Sequence, residues 1–280
     1  MGAVTGNGEI HPTAIVSSGA TLGREVRIGP HAYVGDGVTL GDGCVLHHHA
    51  TVDGFTVLGN GCEVFPHACV GLKTQDLKYK GGRPGLRVGE RNVFREFCTI
   101  HAATFDGEFT VIGDGNLFLA YSHVAHDCVV GNRVILSNNA TLAGHVRVDD
   151  HAIIGGLTAV HQFCRIGTRA MLGGCAKVEK DIPPYLIGDG NPAVIRGINL
   201  IGLQRAGFDE DRIRLIKEAY RILYRSGLNR TQAVERLQTH PAAGGADMAA
   251  FIEFIQSSQR GPAPGLRAPA GPDQDKKTAS

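Results

Sequence analysis

The 280-residue sequence has almost no net charge, no long apolar run and no C-x-x-C pair. Its 28 basic and 27 acidic side chains leave a formal charge of +1, so no overall field favours nucleic acid or an anionic membrane as a partner. A membrane-spanning helix needs a run of about 18 apolar residues, which this sequence lacks. The N-terminus also lacks the basic and apolar regions of a signal peptide. These absences predict a cytoplasmic protein without stable membrane insertion.

Cysteine is present seven times but never in the close pairs of a zinc ribbon or a redox motif. An odd number of cysteines also suits a reducing compartment. Most of them occupy one position of the repeat described next, which predicts small buried apolar residues rather than metal ligands. The seven are Cys44, Cys62, Cys69, Cys98, Cys128, Cys164 and Cys175.

An aliphatic residue returns at every sixth position over two long stretches. The first stretch runs from Ile10 to Val70, and the second runs from Val88 to Val178 with a break at Asp106. The fourth residue after each aliphatic is usually small. Neither the helical period of 3.6 nor simple strand alternation fits this pattern. Hexapeptide repeats predict a parallel β-helix, whose stacked coils bury one another's edges.

Three six-residue sides make a coil of about 18 residues, so residues 18 apart should lie above one another. His31, His49 and His67 have this spacing, which predicts a surface ladder of histidines. Residues 73–86 lack the repeat and predict a loop ejected from the coil, and residues 104–109 predict a shorter one. Loops on a rigid scaffold often carry function.

The pattern becomes helical after Pro183-Pro184, with helices predicted over 209–225, 231–238 and 247–256. The predicted organisation is a β-helix over 1–186 with a loop at about 73–86, and a C-terminal helical domain over 187–260. Residues 261–280, rich in Pro, Gly, Ala and charge, are predicted to form a disordered tail.

Histidines cluster on consecutive coils around His126, which shares the 18-residue spacing with Gly144 and Gln162. An imidazole is suited to taking a proton from a hydroxyl, and Asp127 can fix its tautomer. The backbone N–H of Gly144, one coil away, could stabilise an oxyanion. Because no suitably placed Ser or reactive Cys accompanies them, direct acyl transfer is favoured over a covalent intermediate.

Two other interpretations compete with acyl transfer. His123, His126 and His145 could hold zinc, as in a hydratase of the carbonic anhydrase kind, and that enzyme would contain stoichiometric metal. A non-catalytic scaffold would bind no substrate saturably.

Five motifs carry a resemblance to a known family. The sequence resembles the UDP-N-acetylglucosamine acyltransferases that open lipid A biosynthesis, over about residues 10–228. The hexad repeats are shared by many acyltransferases, whereas the motifs together are specific. They are residues 10–14 (IHPTA), 75–79 (QDLKY), 123–128 (HVAHDC), 138–145 (NNATLAGH) and 155–163 (GGLTAVHQF).

The resemblance implies a mainly β fold, namely a left-handed parallel β-helix followed by a small α-helical domain, and a homotrimer with sites between subunits. It implies transfer of an (R)-3-hydroxyacyl chain from acyl carrier protein to the 3-position of UDP-N-acetylglucosamine, without cofactor or metal. It leaves open the acyl-chain length, and the choice between a 3-hydroxyl and a 3-amino acceptor.

The resemblance also implies roles for individual residues. His126 matches the general base, Asp127 its orienting carboxylate and Gly144 the oxyanion donor. Gly174 matches the position that measures acyl length, and Arg205 is a candidate phosphate ligand. The residues matching the substrate-binding set are Gln75, Asp76, Lys78, His123, His145, His161, Gln162, Gly174, Asn199 and Arg205.

Three positions depart from the family pattern. Pro192 stands where a histidine is common, Ile201 where an acidic residue is common, and Ala206 where a second arginine follows Arg205. Contacts at the C-terminal end are therefore less specified than the catalytic coil. Because acyl carrier proteins are acidic, the basic residues of the first long helix are a candidate docking surface. These are Arg212, Arg214, Lys217, Arg221 and Arg225.

Overall fold

The computed structural model describes residues 8–266, most of which form short strands wound into a left-handed parallel β-helix. Each hexad contributes a strand whose second residue is the repeating aliphatic. Val124, Leu142 and Val160 show the result, since each is at most 2% exposed. The predicted fold class is therefore confirmed, and burial of these side chains is its main stabilising contribution.

The strands form three parallel sheets, which are the three faces of the coil. The first face contains β1 (Glu9–Ile10), β4 (Arg27–Ile28), β7 (Val45–Leu46), β10 (Glu63–Val64), β13 (Val93–Phe94), β16 (Leu117–Phe118), β19 (Ile135–Leu136), β22 (Ile153–Ile154), β25 (Met171–Leu172), β27 (Leu186–Asp189) and β28 (Val194–Ile198). The second contains β2 (Ile15–Val16), β5 (Tyr33–Val34), β8 (Thr51–Val52), β11 (Cys69–Leu72), β14 (Thr99–His101), β17 (His123–Val124), β20 (Thr141–Leu142), β23 (Ala159–Val160) and β26 (Lys177–Val178). The third contains β3 (Thr21–Leu22), β6 (Thr39–Leu40), β9 (Phe55–Leu58), β12 (Gly85–Val88), β15 (Phe109–Ile112), β18 (Val129–Val130), β21 (Arg147–Val148) and β24 (Arg165–Ile166).

The tight corners between faces are made by residues in the left-handed backbone region. His31, His49 and His67 have φ of 56°, 59° and 62°, although such values are uncommon outside glycine. Their rings stack with centroids 5.1 Å apart, as the 18-residue spacing predicts. The column continues through Phe97 and Tyr121, so it is an aromatic ladder rather than histidine alone.

Two loops interrupt the coil at the corner between the second and third faces. The first lies between β11 and β12 and the second between β14 and β15. The first loop ends before Gly85, because Gly85 and Leu86 already pair with strands on both sides in β12. Both loops leave at the corner that also carries residues 125–128, and this arrangement places them beside His126.

The C-terminal region follows the predicted helices, but the β-helix does not end at residue 186. Strand β27 continues the first face beside β25 and then pairs antiparallel with β28, so the predicted boundary falls inside β27. The helices are α1 (Leu200–Arg205), α2 (Glu210–Arg225), α3 (Arg230–Gln238) and α4 (Ala246–Ser257). Helix α1 was not predicted, because it is too short for a periodic signal.

The predicted tail is partly ordered. Pro262 forms a bridge with Asp181, Gly265 forms one with Ile195, and Ala263 is buried. The prediction of disorder from 261 is therefore wrong for residues 261–266, since backbone pairing with the β-helix orders a segment whose composition suggests none. Residues 267–280 lie outside the described part of the chain.

Within residues 8–266, every helix falls short of the length and apolarity needed to cross a bilayer.

Candidate active site

His126 and Asp127 lie at the corner that follows β17. His126 Nδ1 is 2.7 Å from Asp127 Oδ2, and their side chains are 16% and 8% exposed. Asp127 has φ of 59°, and its N–H donates to the Thr110 hydroxyl at 2.9 Å. A carboxylate this close holds the proton on Nδ1 of a neutral imidazole, which leaves Nε2 as the free base. The structure places this histidine and aspartate in contact, and their catalytic roles stay a prediction.

Gly144 occupies the equivalent corner of the next coil, directly against the His126 ring. A Cβ on Gly144 would lie 2.4 Å from His126 Cε1 and 2.6 Å from Nε2. Glycine is therefore required here for close approach. Within residues 8–266 the Gly144 N–H has no acceptor. The amides on either side of it, those of Ala143 and His145, donate to the carbonyl oxygens of Val160 and His126. An unpaired backbone donor at this corner is suited to a developing oxyanion.

The first ejected loop brings Asp76 to the Nδ1 side of the imidazole. Asp76 Oδ2 is 3.9 Å from His126 Nδ1, and its carboxylate accepts from the Lys78 N–H at 3.0 Å. That backbone hydrogen bond is the main cause that lowers the pKa of Asp76, and the nearby His126 and Lys78 side chains lower it further. Asp76 is therefore a second anion beside the ring.

His101 is a site residue that sequence reasoning missed. It is 5% exposed, and its ring meets that of His123 edge to face at 4.9 Å. Its Nδ1 is buried and has no hydrogen-bond partner among residues 8–266. His123 is held in turn by the Thr99 hydroxyl at 2.7 Å from Nδ1. Burial, and secondarily the charges of His123 and His126, lowers the pKa of His101 to about 4. An orphaned buried nitrogen needs a polar partner, which a ligand or an ordered water could supply.

The lowered pKa of His101 predicts that the protein loses stability on mild acidification. The unfolded chain protonates this histidine near pH 6.5 and the folded chain only near 4. Its contribution is therefore complete above about pH 6.5 and is lost as the pH falls towards 4, at up to about 1.4 kcal/mol per pH unit. Burial likewise lowers the pKa of His123 and adds to the effect.

We expect the free energy of unfolding of His101→Gln, measured in denaturant at pH 7, 6 and 5, to fall less steeply than that of the parent. The exposed His161→Gln serves as the matched control and should keep the parent slope. Equal slopes for parent and His101→Gln would contradict the assignment.

His145 and Phe163 extend the site along the coil axis. Their rings stack with centroids 4.7 Å apart, and His145 Nε2 is 3.7 Å from Asp127 Oδ2. A cleft of about 510 Å³ opens beside them towards α4. Its further lining residues are Arg147, Arg165, Asp181, Glu253, Ser257 and Gln259. The corner that carries Asp127 thus borders a cleft that a ligand can enter.

The predicted site residues differ in how close they lie to His126. His126, Asp127, Gly144, Asp76, His123 and His145 come together around one imidazole. Gln75, Lys78 and His161 are exposed near the loop and corner, and the His161 ring contacts the Gln162 carbonyl oxygen. Within residues 8–266, no hydrogen bond or ring contact joins Gln162, Gly174, Asn199 or Arg205 to His126.

Asn199 has a clear place in the fold. Its side chain caps α1 by accepting from the Gly202 N–H at 3.2 Å, and its amide donates to the Arg169 carbonyl oxygen at 3.0 Å. These two bonds explain its burial without a ligand. Arg205 is exposed in the last turn of α1, and Gly174 is exposed at a corner between the first and second faces.

The zinc alternative changes its ligand set in the structure. The group close enough to share an ion is His126, Asp127 and His145, rather than His123, His126 and His145. His123 is instead bonded to Thr99. The short Nδ1 contact to Asp127 is also the geometry expected if His126 is a general base and Asp127 orients it.

Comparisons with known proteins identify the family of the chain. One family model, described as UDP-N-acetylglucosamine O-acyltransferase domain 2, matches residues 181–263, and a bacterial transferase hexapeptide model matches 19–54 and 109–144.

The chain is similar to the acyl-[acyl-carrier-protein]–UDP-N-acetylglucosamine O-acyltransferases of Burkholderia orbicola and Verminephrobacter eiseniae. It is 53% and 51% identical to them, over 90% of this chain and 98% of each relative. It is also similar to the solved structure of Francisella novicida UDP-N-acetylglucosamine acyltransferase, with a TM-score of 0.88, 36% identity, and coverage of 91% of this chain and 94% of that one. The repeats, the His126 corner and these relatives together place the chain in the UDP-N-acetylglucosamine O-acyltransferase family.

Proposed function

We propose that this chain transfers an acyl group from acyl carrier protein to UDP-N-acetylglucosamine, with His126 as the general base. The observation that carries the proposal is the contact of His126 with Asp127 on one side and with Gly144 on the other. The relatives' names state this donor and acceptor. The family match gives no support to a hydratase, and relatives named as enzymes argue against a passive scaffold.

The geometry supports a direct displacement. Nε2 of His126 takes the proton from the acceptor's 3-hydroxyl as its oxygen attacks the thioester carbonyl carbon. The resulting tetrahedral oxyanion is stabilised by the Gly144 N–H. The C–S bond then breaks, and the imidazolium returns its proton to the departing thiolate of the carrier protein. Asp127 orients the ring and stabilises its charged form throughout.

Asp76, His123, His145 and His161 are proposed to position the sugar, with Gln75 and Lys78 closing over it from the loop. Gln162, Gly174, Asn199 and Arg205 stay proposals from the resemblance, because none of them contacts His126 in its own chain. A homotrimer with sites between subunits would explain that separation, since a neighbouring copy could bring these residues to the cleft.

The acidic carrier protein is proposed to dock on exposed basic residues of α2. Arg212 is already paired with Asp247 at 2.7 Å and stacked on Phe208, and Arg214 contacts Asp211 at 3.0 Å. Lys217 and Arg221 are exposed. The docking surface therefore contains fewer free basic side chains than the five counted in the sequence.

A cytoplasmic location stays a prediction.

Product masses test the proposal. We expect the purified protein, incubated with carrier proteins bearing 3-hydroxyacyl chains of several lengths and with UDP-N-acetylglucosamine or its 3-amino analogue, to form one dominant acylated nucleotide sugar. The preferred donor and acceptor would settle the chain length and the acceptor atom. Failure to acylate either sugar would overturn the proposed function, and native mass spectrometry that gives a monomer would overturn the trimer.

A further inference from the structure

We propose that Thr104 is a positioning residue for acyl transfer, tying the Asp76 loop to the His126 imidazole through its hydroxyl. The inference rests on the proposed function but assigns a role to a residue outside the motifs on which that function depends. Thr104 lies in the second ejected loop, between β14 and β15, and is 1% exposed.

The Thr104 hydroxyl sits among three polar groups. Its Oγ1 is 3.1 Å from His126 Nδ1, 3.3 Å from Asp76 Oδ2 and 3.5 Å from Thr74 Oγ1. A hydroxyl has one proton to donate and two lone pairs to offer. It connects the first ejected loop with the catalytic corner, two segments that are distant in sequence.

The charges decide which way the hydroxyl points. Asp76 is an anion and can only accept, so the Thr104 proton goes to Asp76 Oδ2. A lone pair of Oγ1 then faces the Nδ1–H of His126, which it shares with Asp127 Oδ2 at 2.7 Å. Two acceptors on the Nδ1 side keep the proton there and leave Nε2 free beside Gly144.

The backbone of Thr104 adds a further restraint. Its N–H donates to Asp127 Oδ1 at 3.2 Å, on the carboxylate oxygen that does not face His126. Thr104 therefore contacts both carboxylates and the base. A change to valine removes the hydroxyl but keeps the shape and this N–H, which separates positioning from packing.

Removing the hydroxyl should act on the chemical step. Without it, the imidazole loses an acceptor and Asp76 loses a link to the ring, so the ring samples orientations away from Gly144. Misplacement of about 1 Å at a reacting centre can cost about 100-fold in rate. Because the protonated ring is stabilised less, the acidic limb of the kcat/KM profile should move to lower pH.

The experiment compares Thr104→Val with Thr104→Ser in the full-length protein. We expect Thr104→Val to lower kcat by roughly 10- to 100-fold with each KM within about threefold, and to move the acidic limb by about half a pH unit. Thr104→Ser keeps the hydroxyl and should stay within about threefold of the parent. Thr168→Val is the matched control, since it removes a hydroxyl bonded at 2.8 Å to the Asp150 carbonyl oxygen at another corner.

The outcomes are decisive either way. A Thr104→Val protein with kcat within about threefold of the parent overturns the role, and so does an equal loss in Thr104→Ser or Thr168→Val. If the valine variant does not fold, Thr104→Ala, which cannot clash, takes its place. If the parent and Thr104→Val make product equally well, this inference alone is refuted. If the parent is inactive, the proposed function is refuted.

Coupling to Asp76 gives an independent check. If Thr104 acts through that carboxylate, Thr104→Val in an Asp76→Asn background should cost several-fold less than in the parent, because groups in one network are not additive. Fully additive losses would show that Thr104 does not act through Asp76.

Discussion

Alanine at His126 is expected to lower kcat/KM for acyl transfer by about a thousandfold or more. No other imidazole in residues 8–266 combines a 2.7 Å carboxylate contact with a free nitrogen against the unpaired Gly144 amide. General-base assistance is typically worth about 100- to 10,000-fold. The fold should persist, because the ring lies at a corner outside the buried aliphatic core. Initial rates with acyl carrier protein and UDP-N-acetylglucosamine would measure the loss.

His11→Ala provides the control for this substitution, since His11 is exposed and, among residues 8–266, its ring hydrogen-bonds only to the neighbouring Thr13. It should retain parent activity. Asp127→Asn should also be impaired, because an amide can present its N–H to Nδ1 and reverse the tautomer. A His126→Ala protein with more than about a tenth of the parent rate would rule out His126 as the base.

Alanine at Gly144 is expected to reduce kcat by about 100-fold while leaving the fold intact. The added methyl carbon would lie within 2.4 to 2.6 Å of the His126 ring, so the imidazole must turn away. Turning breaks the Asp127 contact and moves Nε2 from the acceptor, and displacement of about 1 Å has this scale of effect on rate. The substitution does not strain the backbone, because Gly144 does not have a positive φ.

Gly197→Ala is the matched change, since a methyl there meets nothing within 4 Å. Both variants should unfold at nearly the parent temperature, and only Gly144→Ala should lose activity. Normal kcat in Gly144→Ala would mean that the ring tolerates the methyl and that its observed position is not the reactive one.

The architecture was largely predictable because a hexad repeat is a local signal that also fixes distant contacts. Once Ile10 to Val70 define the period, residues 18 apart must stack, and the ring contacts of His31, His49 and His67 follow. The ends of the fold were less predictable. The pairing of β27 with β28 and the bridges at Pro262 and Gly265 depend on contacts between segments that share no period.

The site was predictable where it lies on the coil and less so where it lies on loops. His126 and Gly144 share the repeat, so their contact follows from the spacing. His101 ends β14, just where the repeat breaks before Asp106, and Thr104 lies in the loop that follows; only that folded loop brings Thr104 to the imidazole. The run His101-Ala102-Ala103-Thr104, polar residues framing two buried alanines at that break, was the available signal.

The coil is a stack in which each turn touches only the turns before and after it. Strands β1, β2 and β3 have a neighbour on one side only within residues 8–266, and Ile15 there is 62% exposed. Opening in such an array begins at a free end and travels inward turn by turn. Strand β17 is flanked by β14 and β20, with further turns beyond each. The reacting groups therefore lie on interior turns of the coil. Thermal unfolding of the outermost turns leaves their alignment unchanged.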